Sequence, residues 1–437
     1  MNNLQNKSGD TLNISGNGSF RPAMKDEPKW LHNLRKEGWN TFNSSSLPGR
    51  IQHLWRYTDP KLFMFDDVSP LLNLLPVKAN GSNGNNREIS SDHSGLGYNR
   101  GDRQTFTQLE NGLSGNGIIF QDLFTATLHH SDLIESHLGK LVGPEFGKFE
   151  AFNHSLWNTG YFLFVPKNVT IEKPVYLHRH PTGLNTITRL LVILEENAEV
   201  TLIDDYACHC GDENALVNGV TEIFAGAATR MKYVQLQRLP ETHNNYQTTR
   251  AKLERDSSLT SVFLSFGGET GKVNTGVQLS GSGAESNLYG MLLGANNQHF
   301  DHHTVHHHDA PDTSSNLNFK VSLSDHSQSA YTGLIKIDEN SSNCQAYQEN
   351  RNLLLDPDTK AESIPELEII NDQVSCSHGV TVGSIDPDIL FYLQSRGIDS
   401  KEAVKMVVEG FYEPVLEKLP VDIQELARNL IDEKLNN

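Results

Sequence analysis

Apolar and polar positions alternate along residues 160–385, and this pattern predicts a long region of β-strands. Apolar residues there alternate or run in threes and fours between Gly, Asn, Asp and Ser, without a convincing helical stretch. A loose unit, consisting of a turn residue, small or polar positions and an alternating strand, starts at Asn197, Gly226, Asp256, Gly283 and His326. The first three steps measure 29, 30 and 27 residues, a period typical of the stacked coils of a solenoid.

The last step of this repeat, from Gly283 to His326, is 43 residues long, so we expect an insertion there. An antiparallel sandwich is the alternative architecture, although its strands would recur every 8–12 residues or so. Periodicity alone leaves both architectures open.

Helical spacing flanks the β region on both sides. Trp30, Leu31 and Leu34 form one apolar stripe near the N-terminus. Asp386-Pro387 supplies an N-cap and a first-turn proline at the start of the C-terminal region. The chain therefore divides into a disordered tail at 1–20, an N-terminal helical region at 21–159, a β core at 160–385 and a C-terminal helical domain at 386–437. Within the N-terminal region, the low-complexity stretch 78–102 is expected to be a flexible insert, because it cannot bury enough apolar surface.

Composition narrows the class of protein. Lys and Arg total 36 against 54 Asp and Glu, giving a formal net charge of −18, which argues against a nucleic-acid partner. No apolar run approaches the roughly 20 residues that span a bilayer, and the Asn-rich N-terminus has no apolar segment typical of a secretory signal. Four cysteines are too few for a disulfide framework. We therefore predict a cytoplasmic protein without membrane contact.

Histidine is the unusual residue type, with 19 copies, many of which should titrate on mild acidification. Five of them cluster between Asp301 and Asp309, namely His302, His303, His306, His307 and His308. Imidazole and carboxylate groups are typical ligands of zinc, iron and nickel, so this run is a candidate metal site. Its spacing does not distinguish a preformed site from a solvated turn, and both interpretations stay open.

Two short motifs combine thiols with imidazoles. Cys208-His209-Cys210 is the first, where buried packing and metal ligation are both open. In the second, Cys376 and His378 would project to the same face of an extended segment, where they could ligate metal or form a nucleophile pair. The chain has neither a phosphate-binding loop nor a dinucleotide fingerprint, so any energy-coupled role needs a partner.

The motif with Cys376 and His378 is one of several segments that resemble a known family. The chain resembles the SufB/SufD family of iron–sulfur cluster assembly scaffolds, and SufD members in particular, over roughly residues 24–76 and 106–432. The matching segments are Trp55–Asp59, Phe164–Val169 with Lys173-Pro174, His299–Thr304, Tyr347–Leu355, Cys376–Gly383 and Leu390–Ile398. SufB-like chains carry a cysteine where this chain has Asn350-Arg351-Asn352, and a His-Glu pair where it has His378-Gly379. These two differences favour SufD.

The resemblance implies a mainly β fold, with a right-handed parallel β-helix core between helical ends. It also implies a non-catalytic scaffold that holds no stable cofactor and pairs with a SufB-like subunit and the SufC ATPase; a homodimer is a further option. His378, with Cys376 as a second candidate, would meet a transient iron–sulfur cluster at the subunit interface. The expected SufC-docking residues are Phe391, Tyr392, Phe411 and Tyr412, for each of which packing in the core of the chain itself stays open as the alternative.

Two other functions serve as alternatives to the scaffold. A carbohydrate-active β-helix enzyme would need a catalytic cluster on consecutive coils, and the sequence shows no such constellation. A metal-storage protein would use the histidine run.

Overall fold

The computed structural model describes residues 20, 26–64, 92–100, 104–181, 186–208 and 214–436. The predicted tail at 1–19, most of the insert at 78–91 and 101–102, and residues His209 and Cys210 lie outside these ranges. Within the described ranges, the dominant element is a parallel β-solenoid with helices at both ends. The solenoid interpretation is therefore confirmed over the sandwich.

The strands alternate between two facing sheets, which we call sheet A and sheet B. In the described residues, sheet A has ten strands in the order β19-β17-β15-β13-β11-β9-β7-β5-β1-β2, and sheet B has nine in the order β18-β16-β14-β12-β10-β8-β6-β4-β3. The strands are β1 (Gly95–Arg100), β2 (Gln104–Leu109), β3 (Ile119–Asp122), β4 (Thr159–Val165), β5 (Val175–His180), β6 (Thr186–Leu194), β7 (Glu199–Ala207), β8 (Ala215–Ala225), β9 (Arg230–Arg238), β10 (His243–Leu253), β11 (Ser258–Ser265), β12 (Thr270–Leu279), β13 (Glu285–Gly294), β14 (His299–His308), β15 (Ser314–Leu323), β16 (Gln328–Ile337), β17 (Gln345–Leu354), β18 (Lys360–Ile369) and β19 (Ser375–Ser384).

The helices lie before and after the main run of strands. They are α1 (Lys29–Ser44), α2 (Leu123–His129), α3 (Ser131–Glu135), α4 (Lys148–Leu156), α5 (Pro387–Ser395), α6 (Ser400–Leu416) and α7 (Val421–Asn436). No helix in the described ranges is long and apolar enough to cross a bilayer. The helix start at Asp386 is capped as the sequence predicts, and Asp399 caps the next helix in the same way, since each carboxylate accepts a backbone N–H of the first turn.

The space between the two sheets, the lumen, holds the main core. Alternate residues of each strand face it, and the parallel register places like residues above one another, as with Leu288 and Leu317. Burying both faces of each sheet explains the near-continuous apolar runs. Turn residues with positive φ stack at one corner of the coils: Asn168, Asn197, Ala228, Asp256, Gly283, Asp312 and Asn343.

This stack corrects the predicted insertion. Asp312 lies 29 residues after Gly283, and Asn343 lies 31 residues after Asp312. The corner therefore continues without an interruption. His326 instead follows Asp325, which turns the chain at the opposite corner and leads into β16 of sheet B. The 43-residue step thus joins two different corners, and the prediction of an insertion was wrong.

Part of the predicted flexible insert is also a strand. β1 pairs with β2 and β5 at the first end of sheet A. A Cβ on Gly97 would come within 2.8 Å of both Leu177 and Tyr161. Glycine at this position therefore allows the strand to pack closely against its neighbours. From composition alone, the same segment resembled a linker. For residues 95–100 the prediction of flexibility was wrong.

The C-terminal helices pack against the outer face of sheet A. Val408, Tyr412 and Val415 of α6 join a buried cluster with sheet residues such as Leu236 and Met291. The apolar faces of α6 and α7 are therefore covered within the chain itself.

Candidate functional site at the open end of the solenoid

The solenoid ends in two strands that are paired on one side only. Among the described residues, β18 pairs with β16 and β19 pairs with β17, and no further strand adds to either. Edge strands of this kind present free backbone N–H and C=O groups to solvent. The last coil therefore forms an open rim.

The rim exposes side chains that would be buried in any earlier coil. Cys376 and His378 stand in register with the buried residues Ala346 and Gln348, so they face the lumen side of the coil. His378 is nevertheless exposed, because no coil lies above it. The same face exposes large apolar residues from both last strands: Leu367, Ile369, Val380 and Val382.

Cys376 lies deeper in the rim than His378. Its side chain is half-buried and packs against the lumen core. Burial raises the pKa of its thiol, with a smaller rise from neighbouring Cys344. The thiol is thus protonated at neutral pH until a metal or a cation displaces the proton. The two predicted residues are brought together on one accessible face.

Beneath this face lies a pair of amides. Asn350 and Asn352 face the lumen and are buried. The Nδ2 of Asn352 donates to Asn350 Oδ1 at 2.7 Å and to the carbonyl oxygen of Thr381 at 3.1 Å. A cysteine in place of Asn352 would lose both of these donor contacts. The local structure is built for an amide.

The histidine run forms strand β14, so the interpretation as a solvated turn was wrong. His302, His306 and His308 face the lumen, where burial lowers the pKa of His302 and His306 to about 3 and that of His308 to about 4. His308 contacts the hydroxyls of Thr313 and Ser315 at 2.7 and 2.8 Å.

His303 and His307 of the same run project from the opposite face of β14. There His303 contacts Asp301 at 2.7 Å and His307 contacts Asp338 at 2.8 Å. The five imidazoles therefore do not converge on one point. In the described ranges no three His, Cys, Asp or Glu side chains are gathered to hold a metal ion, and metal binding by the run stays a prediction. Of the Cys208-His209-Cys210 motif, His209 and Cys210 lie outside the described ranges.

A buried charged cluster on the outer face of sheet B was not predicted. Lys272 Nζ donates to Asp301 Oδ2 at 2.8 Å and to the carbonyl oxygen of Leu54 at 2.5 Å, and Thr58 Oγ1 also donates to Asp301. Burial would raise the pKa of Asp301, but Lys272, helped by His303, holds it below its ordinary range. The cluster fastens the N-terminal segment to the solenoid. Its sequence signal was the 29-residue spacing of Lys272 and Asp301, one coil apart.

The four aromatic residues expected at a docking surface have different environments. Phe391 and Tyr392 on α5 are 72% and 57% exposed. Tyr412 is fully buried, and its hydroxyl donates to the carbonyl oxygen of Leu292 at 2.5 Å. Phe411 is half-buried beneath the ammonium of Lys320, 4.5 Å from the ring centre. The prediction for Tyr412 was wrong, because the helix face that carries it packs on sheet A.

Two models of one protein family together match residues 22–411 of the chain. Residues 178–411 match the SufBD core domain of the SUF system for FeS cluster assembly, and residues 22–177 match the SufBD protein N-terminal region. The chain belongs to the SufB/SufD family. Membership assigns it to iron–sulfur cluster assembly, and favours that role over the two alternative functions.

Individual relatives do not separate the two branches of the family. The iron–sulfur cluster assembly protein SufD of Bacillus subtilis is 29% identical, over 94% of this chain and 95% of its own length. SufB of the same organism is 25% identical, over 93% and 90%. A SufBD family protein of Staphylococcus saprophyticus is 25% identical, over 93% and 90%.

Proposed function

We propose that this chain is the SufD-type subunit of a SUF complex and serves as a non-catalytic scaffold. The observation that carries the proposal is the pair of exposed His378 and half-buried Cys376 on an uncovered coil. Asn350-Arg351-Asn352 at the place of the SufB cysteine, and Gly379 after His378, support the SufD assignment.

A SufB-like subunit is the proposed occupant of the open rim. Strands β18 and β19 offer unpaired edges for main-chain hydrogen bonds, as in strand-addition complexes. The exposed apolar residues of the same rim would be buried in such a complex, and their removal from water would favour association. His378 would then lie between the subunits.

At that interface His378 is proposed to bind the nascent iron–sulfur cluster, the cargo of the complex. A neutral imidazole nitrogen is a good iron ligand, and binding competes with its protonation. Cys376, two residues away on the same face, is the second candidate ligand. The energy for cargo release is assigned to a partner ATPase of the SufC type.

The first test replaces His378 by alanine in the complex reconstituted with SufB and SufC. We expect unchanged thermal unfolding, because the side chain is exposed, and a cluster yield reduced at least about tenfold, since changes outside the first coordination sphere already cost roughly 10- to 100-fold. Cluster content is read from visible absorption under anaerobic conditions. His326→Ala is the matched control, an exposed histidine on the turn before β16 and outside the rim strands β18 and β19. Equal cluster yields in both variants would overturn the ligand role.

The second test concerns docking of SufC. We propose that α5 contributes to this contact, because Phe391 and Tyr392 are exposed on it. The double variant Phe391→Ala/Tyr392→Ala should lose SufC in co-purification while keeping its own stability. Val421→Ala, at an equally exposed apolar position on α7, is the control. Retention of SufC by the double variant would contradict the proposal. Deleting the helices is unsuitable, since α6 and α7 cover sheet A.

A further inference from the structure

A second thiol lies directly beneath the rim. Cys344 immediately precedes β17, and Ala346, two residues later, is the register partner of Cys376. Cys344 and Cys376 thus lie on the same lumen-facing side of neighbouring coils, displaced by two residues along the strand. The backbone N–H of Ser375 donates to the Cys344 carbonyl oxygen at 2.9 Å, which ties the two coils together at this point.

The two thiols are both free, and they share one environment. Cys344 is 1% exposed, and its sulfur lies 3.1 Å from Thr313 Oγ1 and 3.5 Å from the carbonyl oxygen of Ala310. Cys376 packs on the same apolar core and is reached from the rim. Its thiol pKa is raised by Cys344, as expected for two neighbouring groups that would carry like charge. Only the terminal strand β19 separates Cys344 from the open end.

Their spacing suits a bridging ion better than a disulfide. Strands lie about 4.8 Å apart and rise about 3.3 Å per residue, so a two-residue diagonal separates the Cα atoms by about 8 Å. A disulfide needs Cα atoms within about 7 Å. Two thiolates that share a metal ion at about 2.3 Å keep their sulfurs about 3.7 Å apart, which this diagonal allows.

We propose that Cys344 and Cys376 together bind a thiophilic transition-metal ion at the open end of the solenoid. His378 lies four residues further along the strand direction than Cys344, about 14 Å between Cα atoms, so a single ion cannot reach both side chains. No three His, Cys, Asp or Glu groups are gathered in the described ranges, so solvent from the open rim completes the coordination. Thiolate ligands select zinc, copper(I) and iron–sulfur species. Ferrous iron as the physiological ion rests on the proposed function, whereas the site itself does not.

The test uses Co(II) as the probe, with the full chain reduced and kept anaerobic. Cys208 and Cys210 are first replaced by serine, which leaves Cys344 and Cys376 as the two remaining thiols of the four. We expect one Co(II) per chain with an intense thiolate-to-cobalt charge-transfer band. Histidines elsewhere can bind Co(II), but they give no such band.

Each ligand is then removed in this background. Cys344→Ser and Cys376→Ser should each weaken binding more than the roughly 10- to 100-fold typical of changes outside the first coordination sphere. His378→Ala should leave both the binding and the charge-transfer band unchanged, because His378 lies beyond the reach of an ion held by Cys344. Ser377→Ala, next to Cys376 on the outer face of β19, is the matched control and should change nothing. A missing band, or a band that survives Cys344→Ser unchanged, would overturn the proposal.

A second measurement covers the case in which the Cys344 variant does not fold. Co(II) should protect both thiols of the parent chain from alkylation, counted by mass spectrometry, whereas protection of Cys376 alone would refute the paired site. Failure of the scaffold role is separable, since His378→Ala could leave cluster yield unchanged while the cobalt band persists. The opposite result, a normal scaffold without the band, would refute only this site.

Discussion

At the residue scale, the same imidazole acquires different properties according to the coil it occupies. His306 is buried in the lumen, with its Nε2 3.3 Å from Ser286 Oγ, and burial lowers its pKa to about 3. His378 has the equivalent lumen-facing orientation but is exposed, because its coil is the last. The expectation that the histidines titrate together on mild acidification therefore fails for those in the lumen. Burial rather than residue type decides which imidazoles are available to bind a proton or a metal.

The lumen histidines make stability depend on pH. The unfolded chain binds a proton at His306 near pH 6.5, whereas the folded chain binds it only near pH 3. The contribution of neutral His306 to the free energy of unfolding is therefore fully present above pH 6.5, and it is lost as the pH falls toward 3. Glutamine at 306 keeps a polar group near Ser286 without titrating. Between pH 7 and 4, we expect wild type to lose at least about 1 kcal/mol more unfolding free energy than His306→Gln.

Denaturant titrations at both pH values give this difference directly. His326→Gln is the control, because His326 is exposed on a turn and should follow the wild-type pH dependence. Parallel stability curves for wild type and His306→Gln would show that the buried imidazole does not oppose protonation.

At the element scale, the corner stack determines where each coil begins. Seven successive turn positions adopt positive φ, and five of them are Asn or Asp. These residues tolerate the left-handed conformation better than other side chains do. They also bond along the stack: Asn343 Nδ2 donates to Asp312 Oδ1, and Asn197 Nδ2 donates to Asn168 Oδ1, both at 3.1 Å. The period of the sequence thus reflects the geometry of one corner.

Ala228, with φ 58°, is the one residue of this stack that has a Cβ but no polar side-chain group to form a hydrogen bond. Its Cβ opposes the left-handed conformation by about 1–2 kcal/mol. Ala228→Gly should therefore raise the free energy of unfolding by about 1 kcal/mol, after the entropy cost of glycine. Ala227→Gly, one residue earlier in the same turn, should leave stability unchanged or lower it. Thermal unfolding checks both variants, and equal effects would show that backbone strain at 228 is not the cause.

At the scale of the whole molecule, the two ends of the solenoid differ. The first coil is covered by antiparallel neighbours, since β1 pairs with β2 and β3 pairs with β4. The last coil has no such cover among the described residues. This asymmetry favours assembly through the last coil, because the antiparallel β2 and β3 at the other end do not continue the parallel stack. The proposed site would then lie at the centre of a pair of subunits.

Val380→Lys tests this mode of assembly. Val380 is 38% exposed on the rim, and a buried unpaired ammonium in an interface costs several kcal/mol. We expect the variant to keep its thermal stability and to lose the complex with a SufB-like subunit in light scattering. Val421→Lys, at an exposed position on α7, should still assemble. A complex of normal mass with Val380→Lys would place the interface elsewhere, and self-association abolished by the same change would identify a homodimer through this rim.

Much of this protein is determined by the chain sequence itself. Local signals are enough for the solenoid period, the helix starts at Asp386 and Asp399, and the pair of Cys376 and His378, because they depend on neighbours along the chain. The tertiary structure decided the rest: which face of β14 each histidine occupies, that Tyr412 is buried, that Gly95–Arg100 forms a strand, and that the last coil is open. Each of these depends on what packs above or beside a residue from a distant part of the chain, and alternation along a strand does not encode that neighbour.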